Sequence, residues 1–302
     1  MTILFLLLYI YYMQDWFDHS EKKIISCLES LKPNSIRYSQ IREIFDEYRT
    51  AWNIPAKIRI REFIDTLLQK AILKENTFSF PGRVEKLFTW ANIPLFEIVS
   101  SIKKEGYFSH LTAMYLHELT DQVPSTIYIN VEQSMKSRES ESGLSQDSID
   151  RAFRNPVRVS KNFAVYQDKK IVILNGQYTN RLGVIENDTH AGKGLYFTNI
   201  ERTLIDISVR PVYAGGVFEV LRAYERAKDR VSVNKLVATL EKMKFIYPYH
   251  QVVGFYLERG GYQSSQIDLL QRFDTQFNFY LAHNMTQRDY SPRWRLFFPK
   301  GL

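Results

Sequence analysis

Apolar residues change their spacing along this chain in a fixed order, and that order limits the fold more than any single motif. Over residues 20–31, Ile24, Ile25, Leu28 and Leu31 recur at three and four, the spacing of one helix face, and the pattern stops before Pro33. A second helix is expected from Ser39, whose hydroxyl suits a cap, with Ile41, Ile44, Phe45 and Tyr48 turned inward. A third is expected over 57–70, burying Ile60, Phe63, Ile64, Leu67 and Leu68. Residues 71–80, AILKENTFSF, then read as a strand, a tight turn at Glu75 and Asn76, and a return strand ending at Pro81. Helix, helix, helix and hairpin within residues 13–85 is the order of a winged helix-turn-helix.

Behind it, residues 86–302 read as an α+β body. Helices lead to TIYINV, in which Ile127, Ile129 and Val131 alternate as one strand face. The hydrophilic stretch 136–146, KSRESESGLSQ, reads as a loop. RVSKNFAVYQ, KKIVILNG and GLYFTN read as strands with turns at Asp168 and Gly176. Helices follow over about 200–209, 216–228, 232–243, 247–259 and 264–273, and the tail is extended again. The fold class expected is therefore α+β, an N-terminal winged helix-turn-helix followed by a mixed α/β body. Residues 1–12 form an apolar leader, too short to span a bilayer as a helix and without the charge and cleavage pattern of a secretion signal. It is expected to be either an over-extended start or a segment packed on the body.

The formal charge of +7 favours an anionic partner, since a positive field concentrates polyanions. The single Cys27 leaves no intrachain disulfide and no cysteine zinc site, which fits a reducing, cytoplasmic setting. Lys57, Arg59 and Arg61 stand at the start of the third helical pattern, off its apolar stripe, with Arg37, Arg42, Lys74 and Arg83 as flanking cations. In a winged helix such residues contact phosphates and base edges; otherwise they are solvated charges or a protein-docking face.

Motifs for catalysis are missing. His110, His117 and Glu118 lack the HExxH order of a zinc site, and neither GxGxxG, GxxxxGK[ST] nor GxSxG occurs. No cofactor or metal is expected. Asp206 in ERTLIDI reads as an anchor or an acid. Gly215 and Gly216 before VFEVLRAYERA read as a close helix crossing or as a phosphate-facing helix start.

Three stretches together resemble the AbiEi family of antitoxins: YFSHLTAMYLHELTDQVPSTIYIN (107–130), NIERTLIDISVRPVYAGGVFEVLRAY (199–224) and YPYHQVVGFYLERGGY (247–262). They carry Ser109, His110, His117, Asp206, Arg210, Gly215 and Gly216. The resemblance implies a transcriptional autoregulator, active in phage defence, whose winged helix binds inverted repeats of double-stranded DNA in its own promoter. It also implies a body that counteracts a nucleotidyltransferase-like toxin, with homodimerisation matching the two-fold DNA and no membrane partner. The head departs most from the family pattern. In the body, Ser109 is expected to cap a helix, Asp206 to pair with Arg210 one turn on, and the glycine pair to let two helices approach. The alternatives are an enzyme acting on nucleic acid, with acids from the central strands and Asp206, and a scaffold docking a protein through its winged helix.

Overall fold

The computed structural model describes residues 2–31, 35–90, 92–135 and 143–302. Pro33, expected to stop the first helix, and the 136–142 part of the expected loop lie outside the described residues. The chain divides into two compact units, Met1–Lys104 and Glu105–Leu302. The boundary expected at 85/86 falls inside a strand of the first unit.

In the first unit, which we call the head, α1 (Thr2–Ser30) and β1 (Ser35–Ile36) lead to α2 (Tyr38–Tyr48) and α3 (Ile60–Gln69). A hairpin, β2 (Lys74–Phe80) and β3 (Arg83–Thr89), and the short α4 (Leu95–Ser100) complete it. Residues 2–19 belong to the same helix as residues 20–30. Among the described residues no helix is long and apolar enough to cross a membrane. The spacing read from sequence buries Ile24, Leu28, Ile41, Phe45, Phe63, Ile64 and Leu67 in one core. Phe63 is its centre, with the rings of Phe45, Trp52 and Trp16 at 5.0, 6.0 and 6.1 Å. Such ring clusters add to plain area burial.

Three local expectations are corrected. The hairpin turns at Pro81 and Gly82, where Phe80 pairs with Arg83 and Gly82 has φ 74°, a value that suits glycine. It does not turn at Glu75 and Asn76: Asn76 is buried inside β2, its amide donating to Leu87 O at 3.3 Å and Thr89 Oγ1 at 3.1 Å. Ser39 lies within α2, and Arg37 occupies the cap position. The third helix begins at Ile60, because residues 55–58 form a turn in which Ile58 N–H donates to Pro55 O. The three strands lie in the antiparallel order β1-β3-β2.

The second unit, the body, starts with β4 (Tyr107–Phe108), α5 (His110–Leu116), β5 (Thr126–Glu132) and α6 (Gln146–Arg154). Then come β6 (Phe163–Tyr166), β7 (Lys169–Gly176), β8 (Val184–Thr189) and β9 (Gly192–Thr198). The sheet order is β6-β7-β5-β4-β9-β8, parallel at β5/β7 and β4/β9 and antiparallel elsewhere. A helical part follows: α7 (Ile200–Val209), α8 (Val217–Ala227), α9 (Val233–Met243), α10 (Tyr249–Arg259) and α11 (Ser264–Gln271). The tail forms a small sheet of β10 (Phe279–Tyr280), β11 (Arg288–Ser291) and β12 (Leu296–Pro299). The architecture is mixed α+β, as the periodicities indicate.

Every residue from Glu201 to Ser208 is buried, so α7 has no solvated face and its polar side chains all need partners. The tail is anchored by Trp294, which is 2% exposed, lies against Gly254 of α10, and donates its indole N–H to Glu258 Oε2 at 2.7 Å. A Cβ at position 254 would overlap the Trp294 ring. Gly254→Ala is therefore expected to destabilise the protein by about 1–3 kcal/mol, the usual range for overpacking a filled core. Chemical denaturation checks this, and an unchanged midpoint would refute it.

Candidate functional site

The seven cations singled out in the head separate into two groups. Lys57, Arg59 and Arg61 are all exposed and follow one another into the first turn of α3. Arg59 precedes the helix, and its backbone N–H donates to Glu62 Oε2 at 3.0 Å, which satisfies one helix-start donor and leaves the guanidinium outside. Arg61 is 88% exposed, with Asp65 one turn on at 4.0 Å. Arg42 is exposed on α2 beside Tyr38, and Lys74 is exposed at the base of the hairpin, opposite Thr89 and away from the Pro81–Gly82 tip.

Arg37 and Arg83 serve a different purpose. Arg37 Nη1 donates to Glu85 Oε2 at 2.7 Å and its Nη2 to Ser101 O at 3.2 Å. Arg83 Nε donates to Glu85 Oε1 at 3.3 Å, and its guanidinium lies over Phe80. Lys103 adds a third cation on Glu85, at 3.0 Å. Burial raises the Glu85 pKa, but the hydrogen bonds and charges of Arg37 and Lys103 outweigh it and hold the carboxyl down at about 2. These flanking cations therefore lock β3 to the start of α2 and the end of α4. Nothing in the sequence marks Glu85, because the cations that hold its carboxyl down, Arg37 and Lys103, are 48 and 18 residues away along the chain.

In the body, the motif residues gather around α7. Arg202 is buried, with only 5% of its side chain exposed, and donates through Nε to Asp206 Oδ1 at 2.8 Å. Its Nη1 donates to Leu182 O at 2.8 Å and Thr179 Oγ1 at 3.2 Å. Asp206 thus pairs with the arginine one turn before it and not with Arg210, since α7 ends at Val209 and Arg210 leaves the helix with φ −136°. Arg210 instead points Nη1 at Arg158 O, at 3.5 Å. The network continues through Thr179, whose N–H and hydroxyl both donate to Glu132, and Glu132 also accepts from Tyr107 Oη at 3.1 Å. Asn130 donates to the same tyrosine oxygen at 2.6 Å. Two glycines make room, since a Cβ on Gly183 would crowd Arg202 and one on Gly176 would strike Asn130.

Ser109 stands where a cap would, but its hydroxyl caps no backbone group; it lies 2.9 Å from His110 Nδ1. His110 is buried with φ 52°, its ring edge-on to Tyr213 at 5.3 Å. Burial pushes its pKa down to about 4, so the imidazole is neutral near pH 7. His117 follows α5, where its Nε2 meets Thr198 O at 2.7 Å. The next motif residues tie that loop to α8: Thr120 donates to Glu219 Oε1 at 2.6 Å, and Asp121 pairs with Arg226. The glycine pair is not a close crossing. Gly216 begins α8 at φ 98° with nothing within 4 Å of a built Cβ, so its conformation, not crowding, requires glycine.

Within this cluster Arg202 and Asp206 pair with each other, while the half-buried Glu132 is held by Tyr107, Thr179 and the Arg181 N–H. Among the described residues no group of three His, Cys, Asp or Glu side chains is placed to hold a metal ion. A polar cleft of about 430 Å³ lies beside it, lined by His117, Glu118, Asp188, His190 and Arg230.

With these features in place, the chain is similar in fold to a crystal structure of the RV2827C protein from Mycobacterium tuberculosis, at a TM-score of 0.58. The likeness covers 94% of this chain and 91% of that one at 14% identity, a level at which it concerns fold alone. No protein-family model matches the chain, and no curated protein does.

Arg202→Met should destabilise the body by about 3 kcal/mol or more, because it strands buried Asp206, whereas Arg210→Met should cost under about 1 kcal/mol. Urea unfolding distinguishes them, and equal effects would contradict the assignment. Because the Glu85 pKa falls on folding from 4.5 to about 2, its contribution to stability is complete above pH 4.5 and drains away as pH falls toward 2. Unfolding free energies measured across that window should fall less steeply in Glu85→Gln than in the parent.

Proposed function

We propose that the protein is a DNA-binding autoregulator and antitoxin acting in the cytoplasm, with a winged helix at its N-terminus. In this reading α3 enters the major groove, the β2–β3 hairpin is the wing, and the body counteracts a nucleotidyltransferase-like toxin. The observation that carries it is the run Lys57, Arg59, Arg61, exposed at the start of the third helix of a helix–helix–helix–hairpin order. The order β1, α2, α3, β2, β3, with β1 added to the hairpin, supports this reading. The antitoxin half rests on the resemblance of the three body stretches to the AbiEi family. Their residues tie the loop after α5 to α8 and α7 to α8, as expected of segments that determine a fold. Arg37 and Arg83 drop out of the DNA-contact set, because Glu85 holds them.

The test is a mobility shift of the full chain on the duplex upstream of its own gene, at several salt concentrations. Affinity should fall steeply with salt, by a log–log slope of about −0.9 for each phosphate contacted. Arg59→Ala and Arg61→Ala should each weaken binding several-fold, and removing a cation that neutralises one phosphate should flatten the slope by about 1. Lack of any shift at low salt would sink the DNA half. Failure of the protein to relieve toxicity of a neighbouring nucleotidyltransferase-like gene product on co-expression would sink the antitoxin half.

A further inference from the structure

The positive charge of the chain is concentrated in one short stretch of the body. Residues 151–170 carry Arg151, Arg154, Arg158, Lys161, Lys169 and Lys170 against the single acid Asp168, an excess of five where the whole chain has seven. Arg151, Arg154, Arg158, Lys161 and Lys170 are exposed, and the first four form no ion pair among the described residues. Apolar side chains lie open among them. Val159, Phe163 and Val165 are 52%, 36% and 63% exposed, and Lys170 Nζ sits 4.0 Å over the Phe163 ring.

This stretch contains β6, an edge of the six-stranded sheet, with no strand on its outer side among the described residues. Ile173 N–H donates to Asn162 O, and strand alternation then turns the backbone groups of Ala164 toward β7 and those of Val165 outward. An unpaired edge is a template for another strand. Proteins that guard such edges place charge on the edge strand itself, yet here Phe163 and Val165 of β6 are both apolar and outward. Just before β6 the chain borders an apolar cavity of about 420 Å³, lined among others by Pro156, Val157, Val209, Val212, Val217 and Leu281. The connection is fixed, because Ser160 N–H donates to Tyr213 Oη at 2.8 Å and Ser160 Oγ to Ile173 O at 2.9 Å. An open edge, an apolar pocket lined by Pro156 and Val157, and a row of exposed arginines therefore lie along one short stretch of chain, residues 151–166.

We propose that this surface docks an acidic, extended segment of a protein partner, which adds a strand to β6 and seats an apolar side chain in the pocket beside Pro156 and Val217. Backbone pairing would supply affinity and the pocket and charges would supply selection, as in other strand-addition complexes. The cations alone would also suit a nucleic acid. A phosphate backbone, however, would leave Val159, Val165 and the pocket facing a charged surface, and an acidic peptide with an apolar anchor covers them. The surface lies wholly in the body, so the proposal stands whether or not α3 reads DNA.

The experiment is selection of twelve-residue peptides from a random displayed library on the full chain. Sequences rich in Asp and Glu around alternating β-branched or aromatic residues should be enriched. Arg154→Glu with Arg158→Glu should weaken the selected peptide by about tenfold or more. Proline or N-methyl substitution at alternate peptide positions should abolish binding by removing strand hydrogen bonds. Val165→Pro in the protein should do the same, with Val165→Thr as its folded control. On binding, amides of residues 159–166 should gain protection from hydrogen exchange. Enrichment without an acidic pattern, no enrichment, or binding indifferent to these substitutions would overturn the proposal. So would short duplex DNA that binds through Arg154 and Arg158 and displaces the peptide, or a dimer of the chain that Val165→Lys dissociates.

Discussion

A guanidinium withdrawn from water must be surrounded by acceptors or it will not stay buried. Arg202 meets that demand with three groups from two places: Asp206 on its own helix, and Thr179 and Leu182 on the approach to β8. Satisfying it orders much else. The 179–182 segment is held where its N–H groups can reach Glu132 at the end of β5, and Glu132 in turn holds Tyr107 at the start of β4. One buried cation thus connects α7 with three separate parts of the sheet. Gly176 and Gly183 are the steric conditions for the arrangement, and no larger side chain fits at either place without displacing a member of the network.

The head solves the converse problem around a half-buried anion. Glu85 draws in Arg37, Arg83 and Lys103, so cations that look alike in sequence have opposite destinations. Those facing the core side of β3 neutralise one carboxylate, while those at the start of α3 face water. A positive net charge says nothing about this division; position relative to one acid decides it.

How much is legible in the sequence follows from the range of the forces involved. Helices α7 to α11 can be placed within a residue or two, because a buried stripe repeats every turn. The hairpin turn is misleading because Glu75–Asn76 has the polarity of a turn, whereas Pro81–Gly82 has the backbone for one; Asn76 can be buried only because Leu87 and Thr89 receive its amide. Strand β8, mostly polar and half open to water, carries no apolar alternation to detect. Spacing alone offers Arg210 as the partner of Asp206, and Arg202 has the same spacing in the other direction. Only the end of the helix at Val209 separates them. Contacts such as Arg37 with Glu85 span dozens of residues and leave no local trace.

The pairing of β4 with β9 has a consequence for how the chain matures. Phe108 aligns with Phe197, so the middle of the body sheet stays open until almost ninety further residues have been made. The head has no such debt to later sequence, since each of its strands pairs with another within residues 35–89. On the ribosome the first unit can be complete while β4 and β5 are still waiting for their neighbours, and domains made first generally fold first. The exposed interval, with TIYINV synthesised and β7 and β9 still absent, is the stage of biosynthesis at which this protein most needs protection from aggregation.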